Sequence, residues 1–538
     1  MEDNEIEVYD RTKESLLHLL DLNMPSESYL LACQQNPGLV WKVLVFDQLS
    51  GQIIAPIVHV TDLHLHNVVL FLPLEGKREI LRSITVIYLI EPRAESVKMV
   101  IQDCKQGLYD QFQVNFLYPP SDSILQQLAE GLAETQSLGK VNRIYEQYLR
   151  YIVLEPNLLT LNGPSFLELN SPGTSDLEIE EKLSDIAKSL FCVMKNCKFW
   201  PIIKYGKGLS EVVSEKLAQL CWENTEETTS INRPLLIILD RSTDINIMLH
   251  HPWTYQALLL DVFKNNLNKI ILPSTPVQIK ELDKKKDKFL SEQSFMEFDQ
   301  VLQNIDKQFN EWKAKYDKIG DNLMSAFENV EELTEVKSQI DLHMMLATEI
   351  VKIVKSRHLD VFNSVEENLM KGSSPNLDEA LGKVSESEDF ANDKLRLQII
   401  SYLSKNIEFD KGSGLFNYLR TNFKQGPVNE SKFSAIYGKM KKLMGSDLFL
   451  PVSRIVHEAL ENKDELGYID SKFRDRPRYK GVFEEVMVFV VGGGCYTEYQ
   501  NLMHYGKNYK KNIFYASTSM HSPNEFLEQL KELAERSQ

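Results

Sequence analysis

Three clusters in this 538-residue sequence carry side chains suited to chemistry, and each can be tested against the spacing its chemistry demands. The first is Gly492-Gly493-Gly494, directly after the apolar run Val486-Met487-Val488-Phe489-Val490-Val491. A glycine turn between a strand and a helix can cradle a pyrophosphate if it reads G-x-G-x-x-G and an acidic residue ends the next strand. Gly492 and Gly494 fit, but Thr497 stands at the third glycine position. The next strand-like run, Ile513-Phe514-Tyr515-Ala516, is followed by Ser517-Thr518 and no acid. A phosphate-binding loop of the G-K-[ST] type is absent. The glycines are therefore expected to make a tight strand-to-helix turn.

The second cluster is Asp240-Arg241-Ser242-Thr243-Asp244, at the end of Leu235-Leu236-Ile237-Ile238-Leu239. A phosphotransfer aspartate would want a second acid at Ser242, so an internal Arg–carboxylate pair bracing the strand end is the expectation. The third is histidine: His64 and His66 alternate, and His250 and His251 are adjacent. Neither pair has the i, i+4 spacing of a helical metal site, so both read as surface or packing residues. No G-x-S-x-G elbow or Cys–His signature occurs. Catalytic, cofactor and metal sites are all expected to be absent.

The elements around these clusters alternate. Lys42 to Asp47, Val68 to Leu72, Val86 to Ile90 and Val114 to Leu117 are short apolar runs separated by helical patterns. That order reads as a parallel sheet covered on both faces. Residues 1–155 are expected to form a first α/β domain, closed by Glu155-Pro156. The run at 235–239 needs the strands at 486–491 and 513–516 to complete a sheet, so 156–265 and 470–538 are expected to form one discontinuous second α/β domain. Between them, 266–469 reads as an all-helical insertion. Phe298, Leu302, Ile305, Phe309 and Trp312 recur at helical spacing, as do Leu342, Leu346, Ile350 and Ile353. Breaks are expected near Lys318-Ile319-Gly320-Asp321 and at Lys371-Gly372-Ser373-Ser374-Pro375.

Composition narrows the partners. With 60 basic and 77 acidic residues the net charge is −17, which disfavours nucleic acid. Six scattered cysteines without a C-x-x-C pair fit a reducing compartment. The start is acidic, unlike a signal peptide, and no apolar run approaches the roughly 20 residues that span a bilayer. A membrane role is expected to run through a partner.

Several pieces in order resemble the Sec-one/Munc-eighteen (SM) family of SNARE-binding proteins. They are Trp41 to Asp47, Tyr88-Leu89-Ile90-Glu91-Pro92, Asp240-Arg241, Trp253-Thr254-Tyr255-Gln256, Pro451 to Val456 and Val488 to Gly494. The segments His251–Ala257 and Tyr496–Leu502 are most similar to the Sly-one branch. The chain departs from the family at Lys77-Arg78-Glu79-Ile80, where a proline is common. The resemblance implies a three-domain arch with two α/β domains and a helical insertion. It implies a monomer that binds syntaxin-type SNAREs and SNARE complexes, catalyses nothing, and works in the cytoplasm at ER and Golgi membranes. Other SM branches, endosomal/vacuolar or plasma-membrane, are the alternative, and a nucleotide-binding α/β enzyme is a more distant one. It also implies a pocket for a syntaxin N-terminal peptide at Leu125, Leu128, Ala129, Val141 and Ile144, with the last two on a second helix. A long hairpin at about 300–350, its bend near Gly320, would align SNARE helices.

Overall fold

The computed structural model describes residues 7–23, 40–198, 200–224, 233–273, 276–319, 323–370, 388–405, 414–423, 450–474, 478–479 and 481–537. The first sheet holds β1 (Lys42–Phe46), β2 (Val68–Pro73), β3 (Leu81–Ile90), β4 (Tyr109–Phe116) and β5 (Val141–Glu146), in the order β2-β1-β3-β4-β5. Every pairing is parallel. The central strands are apolar on both faces because helices cover both. Val86 to Ile90 are at most 1% exposed.

The second sheet joins distant parts of the chain. It holds β6 (Ile152–Glu155), β7 (Leu158–Thr160), β8 (Ile202–Tyr205), β9 (Leu235–Asp240), β13 (Gly467–Asp470), β14 (Glu485–Val491) and β15 (Asn512–Ser517), ordered β13-β8-β9-β14-β15-β7-β6. β14 lies between β9 and β15, parallel to both. This pairing makes the unit discontinuous, as the apolar runs at 235–239 and 486–491 require. Val486 to Val491 are at most 2% exposed. Burying side chains of this kind is worth about 1.5–3 kcal/mol each. The last helix, Pro523–Arg536, starts with a capping box of Ser522 and Glu525 and packs Phe526, Leu527, Leu530 and Leu533 inward.

Three expectations need correction. Ile152–Glu155 pairs antiparallel with β7 and so belongs to the second sheet; the turn at Pro156 is a hairpin bend rather than a boundary. The N-terminal helix Val8–Leu22 packs on the helix Asp176–Cys197 and on β6, and Arg11 bonds Glu485 at 2.7 Å. The insertion is not all helical. β10 (Lys264–Asn266), β11 (Lys269–Leu272) and β12 (Gln278–Glu281) form a small antiparallel sheet at its entrance.

Beyond that sheet the insertion is helical. Helices Phe298–Ile319 and Leu323–Arg357 pack on each other. Phe298, Ile305, Leu346 and Ile350 are buried in one cluster with Tyr255 and Leu258, and Leu302, Leu342 and Ile353 lie against it. Phe309, Trp312 and Tyr316 stack further along. The bend residue Gly320, the break at 371–375 and Cys33 lie outside the described residues.

Candidate functional site

The glycine turn sits where open α/β sheets bind ligands, at the carboxyl ends of β9 and β14. Gly492 and Gly493 have φ of 98° and 115°, a region that favours glycine. A β-carbon on Gly492 would lie 3.2 Å from Arg241 Cβ and 3.3 Å from Phe166 Cδ2; one on Gly494 would lie 2.5 Å from the Tyr515 hydroxyl. The turn's own amides are engaged: Gly492 N–H donates to Thr518 Oγ1 at 3.0 Å and Gly494 N–H to the Ser519 carbonyl at 2.8 Å. Side chains close on Gly492 and Gly494 themselves, while a cavity of about 370 Å³ opens beside the turn, lined by Cys495, Tyr496, Thr497, Ser519 and His521 among others.

A buried ion pair lies beside the turn. Glu498, in the first turn of the helix Tyr496–Tyr509, accepts two bonds of 2.8 Å from Arg241. Both side chains are 2% exposed. The Tyr515 hydroxyl also donates to Glu498, and Arg241 donates to the Asp244 carbonyl. Glu498 thus places a negative charge in the helix's first turn, where it is favoured, with its carboxylate bonded to Arg241 and Tyr515. The expected Arg–carboxylate pair at the strand end is made with Glu498, and Asp240 is not part of it. Asp240 accepts the Ser210 N–H at 2.7 Å. Burial raises its carboxyl to about 6 despite that bond.

His250 and His251 are buried, at 4% and 1% exposure, and tie the second α/β unit to the insertion. Glu366, on the helix Leu359–Met370, accepts from His250 Nδ1 at 2.9 Å, His251 Nδ1 at 2.7 Å and the His251 N–H at 2.8 Å. The other ring nitrogen of His251 lies 3.1 Å from Asp393, on the helix Glu388–Lys405. Arg357 clamps Asp393 through bonds of 2.8 and 2.6 Å, and Arg396 pairs with Asp261 at 3.0 Å. A ring whose two nitrogens both face carboxylates donates from both, so His251 is an imidazolium. His64 and His66 are peripheral; His66 bonds Asp21 at 2.7 Å. Among the described residues no group of three or more His, Cys, Asp or Glu side chains is placed to hold a metal. Five of the cysteines are buried and free, and burial raises the Cys192 and Cys221 thiols to about 12.

The five residues expected to form a peptide pocket divide by burial. Helix Asp122–Glu134 packs tightly on helix Ala94–Gln106, because Gly131 lets Ile101 approach; a β-carbon there would meet Ile101 Cδ1 at 2.3 Å. That contact turns Leu128 inward, to 1% exposure, in a cluster with Val97, Val100 and Leu132. Leu125 stays on the surface at 37% exposure, and Ala129 is exposed too. Val141 and Ile144 are not on a helix. They lie on β5, an edge strand paired with β4. Val141 lies opposite Phe112 and Ile144 opposite Val114, so β5 carries one extra residue between them. Val141 is half-buried against the Leu128 cluster, whereas Ile144 is 46% exposed. Leu138, 57% exposed in the intervening turn, is an apolar surface residue that periodicity does not reveal.

The model of the Sec1 family matches residues 42–529, a span holding both sheets and the insertion. Sec1 family domain-containing protein 1 of Rattus norvegicus is 28% identical, covering 98% of this chain and 99% of the relative. The alignment runs to 636 positions against 538 residues here, so the relative carries segments this chain lacks. The SEC1 family transport protein SLY1 of Arabidopsis thaliana is 27% identical, covering 96% of this chain and 95% of the relative. Among solved structures, Sly1p in complex with an N-terminal peptide of Sed5p matches with a TM-score of 0.80 at 26% identity over 99% of both chains. Vps45 in complex with the Qa SNARE Tlg2 has the same fold, with a TM-score of 0.80 at 17% identity. With its parallel first sheet, its mostly parallel second sheet and its largely helical insertion all inside the matched span, the chain belongs to the Sec1 family.

Proposed function

We propose that this chain is a regulator of vesicle docking and membrane fusion that binds syntaxin-type SNAREs and promotes SNARE complex assembly in ER–Golgi transport. The observation that carries this reading is the full-length likeness to Sly1p, solved with an N-terminal peptide of Sed5p. The crowding at Gly492 and Gly494 and the Thr497 in place of a third glycine support a role without catalysis. The protein acts from the cytoplasm as a monomer, at ER and Golgi membranes; among the described residues no helix is long and apolar enough to cross a membrane. A SNARE presents an amphipathic helix, and the packed helices Phe298–Ile319 and Leu323–Arg357 offer a long scaffold on which two such helices could align.

The N-peptide site is assigned to the first α/β unit, at Leu125, Ala129 and Ile144 on its surface, with Leu128 and Val141 forming the floor. Its test uses the exposed members, because a charge at Leu128 would enter a packed core. Leu125→Glu with Ile144→Glu is expected to weaken binding of a syntaxin N-terminal peptide at least about tenfold, the loss of one or two buried apolar anchors. The thermal midpoint should not move. Calorimetric titration returning wild-type affinity would remove the site from this face.

A further inference from the structure

After β13, the edge strand of the second sheet, the chain reads Lys472-Phe473-Arg474-Asp475-Arg476-Pro477-Arg478-Tyr479-Lys480. In a chain of net charge −17 this run carries five cations and one acid. Residues 475–477 and 480 lie outside the described residues. Arg474 and Arg478 are exposed, and each lies over an aromatic ring. The Arg474 guanidinium is 4.9 Å from the Trp222 ring centre, and that of Arg478 is 5.7 Å from Tyr468. The Lys472 ammonium lies 5.8 Å from the Phe473 ring.

The base of this loop is fixed. Asp470 bonds Arg233 at 2.7 Å and accepts the Lys472 and Phe473 N–H groups at 2.8 and 3.2 Å. The Tyr479 N–H donates to the Tyr468 hydroxyl at 2.8 Å. Asp470 is therefore neutralised by Arg233 rather than by the patch. Of the acids that follow, Glu485 is paired with Arg11 at 2.7 Å. Four residues after Arg478 in sequence, Val482 is 77% exposed, among the most exposed large apolar side chains described.

Arg478 also gives one N–H to the Leu466 carbonyl at 3.4 Å. A guanidinium lying over an aromatic ring has further N–H groups to offer phosphate oxygens, and an exposed apolar side chain suits the headgroup boundary. We propose that Lys472, Arg474, Arg478 and Val482 form a direct docking surface for an anionic bilayer. The arginines would contact lipid phosphates and Val482 would reach the interface. This surface lies on the second α/β unit, apart from the peptide site on the first, and does not depend on it.

Vesicle flotation tests the proposal with the full chain and no SNARE present. The protein should float with vesicles of phosphatidylcholine containing about 30% phosphatidylserine and not with phosphatidylcholine alone, and added salt should release it. Arg474→Glu with Arg478→Glu should lower the bound fraction about tenfold. The thermal midpoint and syntaxin-peptide affinity should stay at wild type. Val482→Asp, at a site too exposed to disturb the core, should weaken binding in the same direction. Equal flotation with neutral vesicles, or unchanged flotation of both variants, would overturn the proposal. So would binding of a soluble acidic peptide without vesicle binding, which would point to a protein partner.

Discussion

Replacing Arg241 with alanine is expected to destabilise the second α/β unit by about 3–5 kcal/mol and to lower its unfolding midpoint by roughly 10 °C. The size follows from what is left behind. Glu498 is 2% exposed and would keep only the Tyr515 hydroxyl as a donor, with its charge uncompensated beside the glycine turn. Removing both charges together, as Arg241→Met with Glu498→Leu, leaves no buried ion and should recover most of the loss. A double-mutant cycle read by calorimetry separates these outcomes. A melting point for Arg241→Ala within about 2 °C of wild type would show that the pair does not hold the sheet edge.

Glu366→Ala should be comparably damaging, by about 3–5 kcal/mol, because one carboxylate serves His250, the His251 ring and the His251 amide. It sits where the insertion meets the second sheet's unit, so loosening should appear there first. The pH profile gives a second readout. Burial and Arg396 lower the His251 imidazolium's pKa, but Glu366 and Asp393 outweigh them and hold it above its ordinary value of 6.5. Arg357 clamps Asp393, and Asp261 partners Arg396. The stability His251 supplies is therefore complete below pH 6.5 and declines as pH rises through the raised folded value. Burial acts to raise the Glu366 carboxyl, but the two histidines bring it down to about 2; its contribution is complete above pH 4.5 and is lost as pH falls toward 2. Thermal melts of His251→Gln should lose the alkaline decline. A variant keeping that decline would place its origin elsewhere.

How much was legible in the sequence depended on whether a signal was local. The runs at 235–239 and 486–491 are apolar on both faces because both are buried, so their place in one parallel sheet could be read despite the insertion between them. The glycine turn was legible through a failed pattern at Thr497. The partners of His251 were not, since Glu366 and Asp393 lie 115 and 142 residues away. Val141 and Ile144 mimic helical spacing because β5 carries an extra residue between them. β10 and β12, Lys264–Asn266 and Gln278–Glu281, are short and mostly polar, so no alternation marks them.

Binding of the purified chain to a panel of syntaxin N-terminal peptides and cytoplasmic domains tests the central claim most directly. Specific capture of an ER–Golgi syntaxin, undiminished by added nucleotide and weakened by Leu125→Glu with Ile144→Glu, is the predicted result. Failure to retain any syntaxin, or a stoichiometric nucleotide bound by the purified protein, would contradict it.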